Sequence, residues 1–100
     1  MPLQQVILND PGGFISGHIA YGAFLKAIHA KVIVVYCASA CLALLSQLDH
    51  DQVCFRPQAW IGHHTAAQHN NPDGICCIED TNTMRWLRGV DMIARGWQAC

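Results

Sequence analysis

Three short segments hold residues whose types and spacing suit covalent chemistry on a carbonyl group. The first is Asp10-Pro11-Gly12-Gly13. Two adjacent glycines let backbone N–H groups turn toward a ligand oxygen with no Cβ in the way. The second is Cys37-Ala38-Ser39-Ala40-Cys41, where a serine sits between alanines at the predicted start of a helix. A hydroxyl there is a candidate nucleophile, and the N–H of Ala40 is a candidate donor to a developing oxyanion. The third is Ile61-Gly62-His63-His64, where a histidine ends a predicted strand as a candidate general base. Each segment also has a plain structural role: a strand-to-helix turn, a serine N-cap and a loop histidine. A metal alternative rests on His63, His64, His69, Cys76 and Cys77, but their spacing matches no common zinc pattern. No metal and no cofactor is expected.

These residues need elements to hold them. Gln4 to Leu8 reads as a short strand ending in the breaker cluster Asn9 to Gly13. Ser16 to Ala30 is predicted helical, with Ile15, Ile19, Ala23 and Ala27 beside Ala20, Phe24 and Ile28 as the core-facing stripe. Val32 to Tyr36 is β-branched and apolar on both faces, as in a central parallel strand. A second helix is expected from Ser39 to Gln47 or Leu48. Asp51 to Phe55 and Ala59 to His64 are short strand candidates separated by Arg56-Pro57, followed by a polar loop from Thr65 to Gly74. A last helix is expected behind a Thr81 or Thr83 cap, with the stripe Trp86, Val90, Ile93, Ala94 and Trp97. The order β-α-β-α-β-β-α predicts an α/β fold with right-handed crossovers and a mainly parallel sheet. In such sheets sites form beyond the carboxyl ends of the strands, where all three segments fall.

Composition bounds the rest. One hundred residues allow one domain, 1–100. Apolar residues make up 52% and charged residues 13%, which excludes intrinsic disorder. Six Lys+Arg against seven Asp+Glu leave no basic footprint for nucleic acid or an acidic membrane. The longest apolar stretch, Val32 to Leu45, is short of a bilayer span. The N-terminus has no signal-peptide pattern, so a cytoplasmic location and largely reduced thiols are expected, with Cys37 and Cys41 as small buried apolar residues.

Taken together and in order, the segments resemble the Clp protease proteolytic subunit family, within the ClpP/crotonase-like fold. Leu8-Asn9-Asp10-Pro11-Gly12-Gly13 is like that family's N-S-P-G-G strand end. Tyr36-Cys37-Ala38-Ser39-Ala40-Cys41 is like its A-S-[AM] nucleophile segment, in a C-A-S-A-C variant similar to an often exported bacterial branch. Arg56-Pro57-Gln58-Ala59-Trp60-Ile61-Gly62-His63-His64 is like its P-x-A-x-[IL]-x-x-H histidine segment. The resemblance runs from about residue 4 to residue 66. It implies a serine endopeptidase acting on peptides or unfolded proteins, with Ser39 as nucleophile, His64 as general base, and the N–H groups of Gly13 and Ala40 as oxyanion hole. It also implies a homo-oligomer and an ATP-dependent unfoldase as partner.

The pattern departs from the family in three places. Asp10 stands where a serine is usual, a change expected to matter little. The family's strand and helix before the glycine motif, and its C-terminal part, are not matched. None of Asp73, Asp80 and Asp91 matches the position of the triad acid. Two alternatives follow: an inactive ClpP-like assembly protein, and a crotonase-type acyl-CoA enzyme that would not need Ser39 and His64 together. With so few charges, excess apolar surface is expected to be buried against another copy, through the Trp stripe or the first helix. Arg88 is expected at the rim of that contact.

Overall fold

A computed structural model describes residues 4–67 and 78–100, with the side chains of 64–67 and 78–83 outside the description. The chain runs β1 (Gln5–Asp10), α1 (Ile15–Ala27), β2 (Lys31–Ala38), α2 (Cys41–Leu45), a 3₁₀ turn (His50–Gln52), β3 (Val53–Ala67), β4 (Ile78–Arg88), α3 (Gly89–Ala94) and β5 (Gln98–Ala99). The sheet order is β1-β2-β3-β4, with β5 beside the start of β3. β1, β2 and β3 are parallel, β5 is parallel to β3, and β4 is antiparallel to it. The fold is therefore α/β with a mostly parallel sheet, as the alternation of strand and helix predicts. No helix among the described residues is long and apolar enough to cross a membrane.

The core lies around β2 and the first half of β3. Val32, Val34, Val53 and Phe55 are fully buried, joined by Leu25 of α1 and Leu44 and Leu45 of α2. Gln52 is the one buried polar residue among those described, and its Nε2 donates to the carbonyls of Leu25 (3.2 Å) and Ala30 (3.0 Å). It thereby ties the turn before β3 to the end of α1, where the Leu25 carbonyl also accepts the Ala30 N–H at 3.1 Å.

Four expectations are corrected. The first concerns α1, whose predicted stripe does not face the core. Ile15, Ile19, Phe24 and Ile28 are exposed, while Gly22 and Leu25 are buried. Apolar residues lie on more than one side of the helix, beside Ser16, His18 and Lys26, so periodicity could not choose its face. Gly22 chooses it: a Cβ there would stand 2.6 Å from the Leu44 carbonyl oxygen, and only a glycine lets α1 lie this close to α2.

The second concerns β3. The two strand candidates form one strand, broken in register between the pairs Val34↔Phe55 and Tyr36↔Trp60. Arg56, Pro57 and Gln58 bulge outward there and are exposed, and Pro57 has no N–H to lose from the ladder. The strand also continues through Thr65 to Ala67, where a loop was expected; the rest of that expected loop lies outside the described residues.

The third concerns the last helix. Residues 81–88 belong to β4, and only Gly89–Ala94 are helical. Trp86 pairs opposite Gly62, and its ring occupies the space a Cβ at Gly62 would need, 2.7 Å away. It also packs against Tyr36 (5.7 Å between centroids) and Trp60 (6.0 Å). Strand pairing and this packing outweigh the helical spacing. α3 begins where the Asp91 carboxylate accepts the Arg88 N–H at 2.7 Å. Trp97 lies beyond α3, stacked on His50 (3.6 Å) and edge-on to Phe55 (5.4 Å). Arg88 is engaged within the chain: its guanidinium lies 3.7 Å from the Trp60 ring centroid, and Nη2 donates to the Gln58 carbonyl at 2.8 Å.

The fourth concerns the thiols. Cys37–Cys41 and Cys54–Cys100 are disulfides, with Cα separations of 5.3 and 4.9 Å. Helical Cα–Cβ bonds tilt toward the N-terminus, so Cys41 in the first turn of α2 points back at Cys37. The second bridge fastens β5 and the last described residue to β3.

Candidate active site

The site is built where β1 and β2 end. β1 stops at Asp10, and the chain turns through Pro11 to Gly13 before α1 begins. Gly12 and Gly13 have φ of +111° and +149°, a region L side chains rarely adopt. The turn is pressed onto the end of β2. A Cβ at Gly12 would lie 2.9 Å from Ser39 Cβ, 3.0 Å from the Ala38 carbonyl and 3.4 Å from Ala40 N.

Ser39 stands on the turn from β2 into α2 with φ +58°, one of two non-glycine residues with positive φ among those described. Its N–H donates to the Gly62 carbonyl at 2.8 Å, and its own carbonyl accepts the Leu42 N–H at 3.0 Å. A non-glycine held in this region costs about 1–3 kcal/mol, which the surrounding bonds and the Cys37–Cys41 bridge offset. Strained strand-to-helix turns of this type present a serine Oγ and the following N–H to a substrate. The N-cap position of α2 is Ala40, so Ser39 stands one residue before it, on the turn itself. α2 has five residues, so the turn rather than a helix dipole shapes this corner.

The sequence-predicted oxyanion donors are Gly13 and Ala40. Neither N–H donates to an acceptor among the described residues, and the Gly12–Gly13 turn abuts Ala40. His64 is placed by its backbone in β3, opposite Met84 and two residues beyond the Gly62 that bonds Ser39. Its side chain lies outside the described residues. His63 is half-buried, opposite Arg85. The structure thus joins the first two segments directly and reaches the third through Gly62. The proposed metal ligands His69, Cys76 and Cys77 lie outside the described residues, as does Asp73; so does the side chain of Asp80. Asp91 is committed to the start of α3.

One pair was missed. Asp10 Oδ1 accepts the Gly12 N–H at 2.8 Å, and Oδ2 lies 2.8 Å from His18 Nε2. The other ring nitrogen, Nδ1, lies 2.7 Å from the Phe14 carbonyl. The His18 pKa is raised above its ordinary 6.5, first by the Phe14 carbonyl, against partial desolvation, and further by the Asp10 carboxylate. Asp10, Phe14, Gly17, His18, Tyr21 and Leu44 line a cleft of about 310 Å³ beside the turn. The signal available in the sequence was the acidic residue standing where the resembled family has serine.

Comparison of the chain with protein-family models, with curated proteins and with solved structures finds no match.

Proposed function

We propose that this protein is a serine hydrolase of ClpP-like type that cleaves peptide bonds in extended or unfolded chains. The observation that carries the reading is Ser39, held at positive φ on a strand-to-helix turn and packed against the Gly12–Gly13 turn. In the reaction, Ser39 Oγ attacks the scissile carbonyl carbon and His64 takes its proton. The oxyanion is held by the N–H groups of Gly13 and Ala40. The tetrahedral intermediate expels the amine, which leaves with the proton from His64, and water then hydrolyses the acyl-enzyme by the reverse roles. No cofactor takes part.

The partners proposed with this activity are further copies of the chain and an ATP-dependent unfoldase that feeds the substrate. The two disulfides favour an oxidising compartment over the cytoplasm expected from the lack of a signal-peptide pattern. The second reading, an inactive ClpP-like assembly protein, draws on the apolar surface of α1, where Ile15, Ile19 and Phe24 are exposed. Turnover of an unstructured peptide by wild type, Ser39→Ala and His64→Ala separates the two. Hydrolysis by wild type that both substitutions abolish supports the peptidase, and hydrolysis indifferent to both removes it.

A further inference from the structure

The contacts of the Asp10–His18 pair exceed what a strand-to-helix turn needs. Asp10 closes its own turn through Oδ1 and the Gly12 N–H. Its second oxygen is spanned to α1 by an imidazole whose far nitrogen meets a backbone carbonyl. A carbonyl oxygen can only accept, and an ionised carboxylate can only accept. Both ring nitrogens therefore face acceptors, and only the doubly protonated ring satisfies both. His18 Cε1 also lies 3.4 Å from where a Cβ at Gly13 would be, so the ring backs the second glycine of the turn. In the cleft around the ring, Asp10 is the one carboxylate among the described residues, Tyr21 is a phenol, and Leu44 from α2 is apolar.

We propose that Asp10 and His18 are positioning residues for the oxyanion hole: the Asp10–imidazolium pair clamps the Gly12–Gly13 turn against Ser39 so that the Gly13 N–H is aimed at the substrate oxygen. The inference rests on the reading of Ser39 as nucleophile. Neither residue touches the reacting atoms. When His18 loses its proton, one nitrogen faces an acceptor with no hydrogen between them, and the clamp loosens. Activity therefore falls on the alkaline side as His18 deprotonates. Asp10→Asn reverses this logic. An asparagine whose oxygen keeps the Gly12 N–H turns its NH₂ to His18 Nε2, and a neutral ring then accepts there while Nδ1–H still donates to Phe14.

The test is the pH profile of Ser39 labelling by a fluorophosphonate, read beside the Gly12 amide resonance in a ¹⁵N NMR titration. Wild type is expected to label more slowly as the pH rises through the His18 titration, with the Gly12 amide moving at the same midpoint. His18→Ala is expected to label about tenfold more slowly or worse below the His18 titration, since one oxyanion donor is typically worth about 10²–10³, and to approach the wild-type rate above it. Asp10→Asn, nearly isosteric and so the safer fold, is expected to lose the alkaline decline. Superimposable profiles for the three proteins overturn the clamp. If no protein labels at Ser39, the hydrolase reading fails, and with it the oxyanion-hole role. The Gly12 amide then reports the contact itself. If it tracks His18 in wild type but not in Asp10→Asn, a clamp on the turn remains. A Gly12 amide indifferent to His18 overturns the clamp whatever the labelling shows.

Discussion

Gly12 lies so close to Ser39 that a Cβ on the glycine would stand 2.9 Å from the serine Cβ. The ends of β1 and β2 meet at this contact, and it joins two segments 27 residues apart in the chain. Gly12→Ala is therefore expected to fail twice, from the clash and from φ of +111°. Together these cost about 2–4 kcal/mol. Denaturant melts should show that loss, and Ser39 labelling should fall more steeply than the folded fraction does.

The two disulfides should separate by experiment. Cys54–Cys100 closes a span of 46 residues and Cys37–Cys41 a span of 4. Loop-closure entropy gives about 4 kcal/mol for the first and about 2 kcal/mol for the second. Alanine pairs at 54/100 are thus expected to lower the denaturant midpoint more than alanine pairs at 37/41. The 37/41 pair flanks the Ser39 turn and should have the larger effect on labelling per unit of stability lost. Equal ratios for the two pairs would contradict this.

Stability should carry the signature of His18. Its folded pKa is raised, so its contribution is complete below the unfolded value of 6.5 and is lost as pH rises through the folded value. Wild type minus His18→Ala, measured as denaturant midpoints across pH, should therefore shrink toward alkaline pH. A difference that grows with pH has the wrong sign for this pair.

Self-association should depend on α1. Phe14 is 88% exposed, and Ile15, Ile19 and Phe24 lie open on the helix that follows. The homo-oligomer proposed with the peptidase would use this surface. Sedimentation at micromolar concentration is expected to give a species larger than 11.0 kDa, and Phe24→Glu to reduce its population. A wild-type monomer removes the homo-oligomer from the account.

Much of this was legible in the residues, for local reasons. Pro11 to Gly13 read as a turn, although β1 runs on through Asn9 and Asp10 where the breaker cluster predicts an end at Leu8, and Val32 to Tyr36 read as a buried strand, which β2 contains. The placement of Ser39 after that strand follows from these two. What was not legible depended on partners distant in sequence. The spacing of Trp86 to Val90 and Trp97 is helical, whereas its ring fills the space over Gly62 and the residue lies in a strand. The face of α1 was set by Gly22 against α2 rather than by the apolar residues around it. The Cys37–Cys41 bridge is not legible in the sequence because a bridge across a bend depends on converging Cβ directions, which spacing does not supply. The weight of Asp10 comes from His18, eight residues on and 2.8 Å away, a contact that the likeness to a serine motif does not signal.

The most direct test of the account is the mass-spectrometric location of a fluorophosphonate adduct on the disulfide-intact protein. The account predicts one adduct, on Ser39, absent from Ser39→Ala and greatly reduced in His64→Ala. An unmodified Ser39 in the folded wild type, or equal labelling of wild type and Ser39→Ala, would contradict it.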